Sequence, residues 1–235
     1  MKKFWNWIHD DGGGRVLRLE GPIDEDSFWG DEITPQDFRA ELEAEEGDVT
    51  VWINSPGGNV FAAAEIYTML KEYAGSVTVR IASIAASAAS VVAMAGSKVQ
   101  MSPTALLMIH DPSTIAMGNA KDMEKAIATL NEVKESIINA YAAKTGLRHN
   151  KIAELMSDET WMNAKKAVEL GFADEVLYED KETATQEDGQ PTGDSIPVEA
   201  RLYSSRMMDR AILNRLHVSD TPKDRAAAAP KLGMD

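Results

Sequence analysis

The feature that most constrains this chain is a repeated switch of hydrophobic period between residues 15 and 178. Short alternating runs rich in β-branched residues give way to stretches with apolar residues three and four apart, and then return. "RVLRLEGPI" alternates and breaks at Gly21–Pro22, as a first strand would. "TPQDFRAELEAEEGD" offers Thr34 as a cap and Pro35 at the first helical position, and stops at Gly47. "DVTVWINS" is a strand by composition and ends in the turn "SPGG". "NVFAAAEIYTMLKEYAG" places Ala63, Ile66, Tyr67 and Leu70 on one helical face and ends at Gly75. "SVTVRIAS" is the next strand, and "KVQMS" and "ALLMIHDP" are two short ones beyond it. A long amphipathic helix over residues 119–145 follows, then helices at "NKIAELMS" and "NAKKAVELG" and a last strand at "ADEVLY". Such alternation predicts an α/β domain with a largely parallel sheet.

The period is lost on either side. Residues 1–14 read as a flexible lead. Residues 15–178 form the expected domain. Residues 179–195, "EDKETATQEDGQPTGDS", are polar and acidic without periodicity and read as a linker. Residues 196–219 have the pattern of one amphipathic helix, and 220–235 read as a disordered tail.

Composition narrows the function. Apolar residues make up 44% of 235, enough for a substantial core. The formal net charge of −14 argues against nucleic acid or an anionic membrane as main partner, since both select basic surfaces. The absence of cysteine excludes a disulfide framework, a thiol nucleophile and a cysteine-based zinc site. "MKKFWNWIHDDGGG" lacks the apolar run of about 7–15 residues that a secretory signal carries. The expectation is a soluble, intracellular protein.

Within that frame, "VRIASIAASAASVVAMAG" at residues 79–96 is unusual. It sets Ser83, Ser87 and Ser90 among alanines where a strand would hand over to a helix. A serine at a strand-to-helix turn can expose its hydroxyl while nearby N–H groups face a developing oxyanion. A tight turn demands small neighbours, and Ala85, Ala86, Ala88 and Ala89 meet that demand. The same run would equally let two backbones approach closely with no chemistry at all. "INSPGG" places two glycines between a strand and a helix, which suits an oxyanion hole, a phosphate site or a plain turn. It is not a P-loop, because G-x-x-x-x-G-K-[ST] occurs nowhere in the chain. Of the four histidines, His110 alone closes an apolar strand and can serve a serine as base; His9 lies in the lead, His149 in the polar "LRHNK" and His217 in the C-terminal tail region.

Taken in order, "INSPGG", the "AAS" after the next strand, "MIHDP" and "NAKKAVELGFADEVL" resemble the ClpP-like serine proteases over roughly residues 15–178. The resemblance implies a ClpP/crotonase-like spiral of β-β-α units with a long handle-type helix. It implies Ser87 as nucleophile, His110 as general base, and Gly58 and Ala88 as oxyanion donors, with Gly57 shaping the loop. Ser83 and Ser90 are then packing residues whose hydroxyls bond backbone carbonyls. The family's third triad member is an Asp in a D-x-[FW]-[LM] setting. Here the setting is "SDETWMNA", which puts Glu159 at that place, with Asp158 as second choice.

"ITPQDFRAEL", "GNAKDMEKA", "INAYAAKTGL" and "ETWMNAKKAVELGFADEV" further resemble the head-maturation proteases of tailed bacteriophages and prophages. That branch implies ATP-independent cleavage of capsid and scaffold proteins in the host cell or inside an immature head. The ClpP-like family as a whole implies a reaction that needs no metal and no cofactor, in a cytoplasmic protein that self-associates into rings, often of seven, which can stack through the long helix at 119–145. Rival readings are a catalytically inactive structural subunit, a crotonase-type acyl-CoA enzyme, and a Ser–Lys protease using Lys98.

Overall fold

The computed structural model describes residues 3–23 and 35–178. The expected linker, the amphipathic stretch at 196–219, the tail and the Thr34 cap lie outside the described residues. Eight strands and six helices are described: β1 Trp5–His9, β2 Arg15–Glu20, α1 Pro35–Leu42, β3 Val49–Ser55, α2 Val60–Glu72, β4 Val77–Ala86, α3 Ala88–Ala93, β5 Lys98–Met101, β6 Leu106–Ile109, α4 Ala120–Thr145, α5 His149–Ser157, β7 Thr160–Asn163, α6 Ala164–Glu169 and β8 Glu175–Val176. The sheet runs β1-β2-β3-β4-β5-β8, and β6 pairs with both β4 and β7. Every pairing is parallel except β1 with β2 and β6 with β7. This is the mixed α/β, mostly parallel architecture that the alternating periods predict.

The central strands bury one face, where Val51, Ile53, Val79 and Ile81 are fully enclosed, while Thr50, Trp52, Thr78 and Arg80 on the other face are only partly covered. Helices α2 and α3 contribute Ala63, Leu70, Val92 and Ala93 to the same core. Asn59 starts α2 by accepting the N–H groups of Phe61 and Ala62. Helix α4 begins with a reciprocal capping box between Asn119 and Asp122 and ends at Gly146 in the left-handed region. Its first half is exposed, and its second half buries Ile137, Ile138 and Tyr141.

Three features differ from the sequence reading. Residues 5–9 are not a flexible lead: they form β1, in antiparallel register with β2 from Trp5↔Leu19 to His9↔Arg15. Long-range contacts hold it there. Trp5 Nε1 donates to Glu41 at 2.8 Å, and the Arg15 guanidinium lies over the Trp7 ring. Second, β4 does not end at Ser83 but continues to Ala86. It pairs with β5 over Thr78–Ile81 and with β6 over Ile84–Ala86. Ser83 lies at this change of partner, exposed, and among the described residues its hydroxyl meets no carbonyl. Third, "TWMN" is a strand, β7, formed because β6 offers it an edge.

Candidate active site

The second half of β4 sets the site. Its register with β6 runs Ile84↔Leu106, Ala85↔Leu107 and Ala86↔Met108. One residue further, Ser87 N–H still donates to Met108 O at 3.0 Å. The chain then turns into α3, with Ser87 as its N-cap at φ 53°, ψ −126°. A positive φ on a serine is strained, and such strain persists only where the surroundings fix it. Here they do: Ala85, Ala86, Ala88 and Ala89 are all buried around the turn. The parallel register carries His110, just past the end of β6, to the same sheet edge. His110 Nε2 lies 2.7 Å from Ser87 Oγ.

The glycine loop closes against this turn. A Cβ on Gly57 would stand 2.6 Å from Ala86 O, 2.8 Å from Ala88 N and 2.8 Å from Ser87 Cβ. Only a glycine allows that approach, and its φ of +92° asks for glycine independently. The Gly57 N–H is already committed to Ser55 Oγ at 3.1 Å. Gly58 is pressed against Ile23, whose N–H and C=O bond Gly57 O and Asn59 N–H on either side. The N–H groups of Gly58 and Ala88 have no acceptor among the described residues. They are therefore available to an incoming oxygen.

The acid side is built by the antiparallel β6–β7 register. The ladder ends with Ile109 opposite Thr160, so Glu159 lies one residue before β7, near the end of β6 that carries His110. Glu159 is half-buried, with φ 48°, a second non-glycine residue in the left-handed region. Its carboxylate accepts the indole N–H of the buried Trp161 at 3.2 Å. Among the described residues no hydrogen bond joins Glu159 to His110; the carboxylate acts on the ring through its charge. Burial pushes the imidazole pKa below its ordinary value, opposed first by Glu159 and then by Asp111. Asp158 is exposed at the end of α5.

Asp111 is the residue that sequence reasoning missed. Lys134 Nζ of α4 lies 2.7 Å from its Oδ1, and Ser157 Oγ donates to its Oδ2 at 3.1 Å. Its position directly after His110 was the available signal. The other basic candidates are engaged elsewhere. Lys98 pairs with Glu175, His9 with Glu45, and His149 with Glu135. His217 lies outside the described residues.

The fold and the site together define an α/β protein with a serine hydroxyl hydrogen-bonded to an imidazole, beside free backbone donors, at the carboxyl edge of its sheet. A match to the Clp protease family spans residues 13–180, and the chain belongs to that family. It is similar to the ATP-dependent Clp protease proteolytic subunit of two Bacteroides fragilis strains, 33% identical over 132 residues in each case. Those alignments cover 55% of this chain and 64% and 60% of the respective relatives. The chain thus matches less than two thirds of the length of these relatives.

Proposed function

We propose that this chain is a serine endopeptidase that hydrolyses peptide bonds through an acyl-enzyme. The observation that carries the reading is the 2.7 Å contact between His110 Nε2 and the hydroxyl of a strained Ser87. Ser87 Oγ attacks the scissile carbonyl while His110 Nε2 takes its proton. Gly58 and Ala88 N–H groups receive the oxyanion. The tetrahedral adduct collapses, His110 returns the proton to the leaving amine, and water then releases the acyl group by the same steps. Glu159 offsets the charge of the imidazolium. The lowered imidazole pKa supports the base role, because it keeps the ring neutral near pH 7. No cofactor or metal enters these steps.

The finer reading is ATP-independent processing of phage capsid and scaffold proteins in the host cytoplasm or an immature head. Its support is the sequence resemblance over the segments quoted above and the extra region beyond residue 178. Ring-forming self-association is supported by Ile115, Met117 and Ile127, exposed on α4 and the segment leading into it.

Intact-mass spectrometry after incubation with a fluorophosphonate tests the reading. One adduct on the native chain, absent in Ser87→Ala and slowed in His110→Ala, is expected. A folded native chain that takes no adduct, or an adduct that survives Ser87→Ala, would overturn it. Cleavage of co-expressed phage capsid and scaffold proteins by the native chain but not by Ser87→Ala tests the finer reading.

A further inference from the structure

Behind Ser87 a buried chain of hydroxyls runs from α4 to the backbone of the turn. Ser90 Oγ donates to Ser87 O at 2.6 Å and lies 2.8 Å from Tyr141 Oη. The donors can be assigned by counting protons. A carbonyl only accepts, so the single Ser90 hydroxyl proton is spent on Ser87 O. Tyr141 must therefore donate to Ser90. Tyr141 is fully buried, and burial pushes its phenol pKa well above the ordinary value, so it keeps the proton it donates. Ser90 N–H also reaches Ser87 O, at 2.9 Å. One carbonyl thus receives two donors, one of them backed by Tyr141.

That carbonyl belongs to the Ser87–Ala88 peptide, whose N–H faces the oxyanion in the function proposed above. Two consequences follow from elementary chemistry. Fixing the carbonyl fixes the peptide plane, and with it the direction of the Ala88 N–H and the strained Ser87 dihedrals. Hydrogen bonds at the oxygen of an amide also polarise it and strengthen its N–H as a donor. We propose that Tyr141 is a positioning residue, acting through Ser90 to aim and polarise the Ser87–Ala88 peptide as an oxyanion donor. The inference rests on Ser87 as the nucleophile. The Tyr141 ring is held separately, edge-on to Phe172 at 5.5 Å, so the hydroxyl can be removed without moving the ring.

The test compares Tyr141→Phe, Ser90→Ala, the double variant, Ser90→Thr and Ser87→Ala in the full chain. The readouts are the rate of fluorophosphonate adduct formation on folded protein across pH, and Tm. Weakening an oxyanion donor, as opposed to removing it, is expected to slow labelling in Tyr141→Phe about threefold to tenfold. The loss should be uniform in pH, with the midpoint set by His110 unmoved. Ser90→Ala should lose more, and the double variant no more than Ser90→Ala, since both act along one chain. Ser90→Thr, which keeps the hydroxyl, should label faster than Ser90→Ala. A purely structural role would lower Tm and leave labelling of the folded protein unchanged. A Ser87-dependent adduct that forms at the native rate in Tyr141→Phe would overturn this inference alone. No adduct on the native chain, or an adduct that persists in Ser87→Ala, would overturn the nucleophile reading and this inference with it.

Discussion

Gly57→Ala adds one methyl group at the point where the glycine loop meets the Ser87 turn. The methyl carbon would sit 2.6–2.8 Å from Ala86 O, Ala88 N and Ser87 Cβ, whereas ordinary contact begins near 3.4 Å. None of these atoms is the end of a flexible side chain. Relief therefore requires the loop and the turn to separate by roughly 0.6–0.8 Å, and a misplacement of about 1 Å at reacting groups can cost about a hundredfold in rate. Fluorophosphonate labelling of Gly57→Ala should fall by about that factor. Strain at the positive φ adds about 1–2 kcal/mol of destabilisation, visible as a lower Tm. Gly146→Ala separates the two effects. Gly146 also has a positive φ, +69°, but nothing lies within 4 Å of its Cβ position. It should lose comparable stability from strain and keep its labelling rate. If Gly57→Ala labels at the native rate, or if Gly146→Ala slows labelling equally, close approach at Gly57 does not shape the site.

The pH dependence of labelling should have its midpoint below the ordinary imidazole value of about 6.5, because burial dominates at His110 and the neutral ring is the base. Glu159→Gln removes the larger of the two opposing charges. It should move that midpoint further down and slow labelling roughly tenfold to a hundredfold, less than the ~10⁴-fold loss seen where the acid bonds the imidazole directly. Asp158→Asn, on an exposed side chain, should leave the rate within about twofold. The folded-state pKa of His110 is depressed, so its neutral form contributes stability above the unfolded value. That contribution is lost as pH falls through the lower folded value, and urea titrations of His110→Gln should show a flatter acid limb. Asn119→Ala removes the side-chain half of the capping box at the start of α4, the oxygen that accepts the Lys121 and Asp122 N–H groups; a loss of about 1 kcal/mol, read as a Tm drop of about 2–4 °C, is expected, with labelling unchanged.

The elements legible in the sequence were those whose reason for existing is local. The alternation of "DVTVWINS" and the helical spacing of Ala63, Ile66 and Leu70 are properties of the segments themselves, and β3 and α2 form there. Strand β7 is four residues between two helices, and its reason for existing is the edge of β6. Strand β1 alternates over only five residues, and its anchors, Glu41 and Arg15, lie elsewhere in the chain. The site divides in the same way. The demand for small residues around Ser87 can be read from the alanines. The 2.7 Å approach of His110 cannot, because it depends on a strand register 23 residues apart. The same holds for Asp111, whose partners Lys134 and Ser157 come from two later helices.

The change of partner along β4 ties these observations together. A strand that paired with β5 throughout would deliver Ser87 to an edge without His110. Because β4 leaves β5 after Ile81 and takes up β6 at Ile84, its last residues lie beside the strand that carries the histidine. The same stretch shows a shifted register against β3, between Ile53↔Ile81 and Ser55↔Ala85. That shift brings Ser55, and the Gly57 N–H it accepts, level with the end of β4. One irregular stretch thus aligns the glycine loop on one side and the histidine strand on the other. Side chains larger than alanine at 85 and 86 would force these three strands apart, since both positions are already fully buried. The small residues around Ser87 therefore follow from the convergence of three backbones, and the exposed hydroxyl chemistry of the turn follows from where that convergence ends.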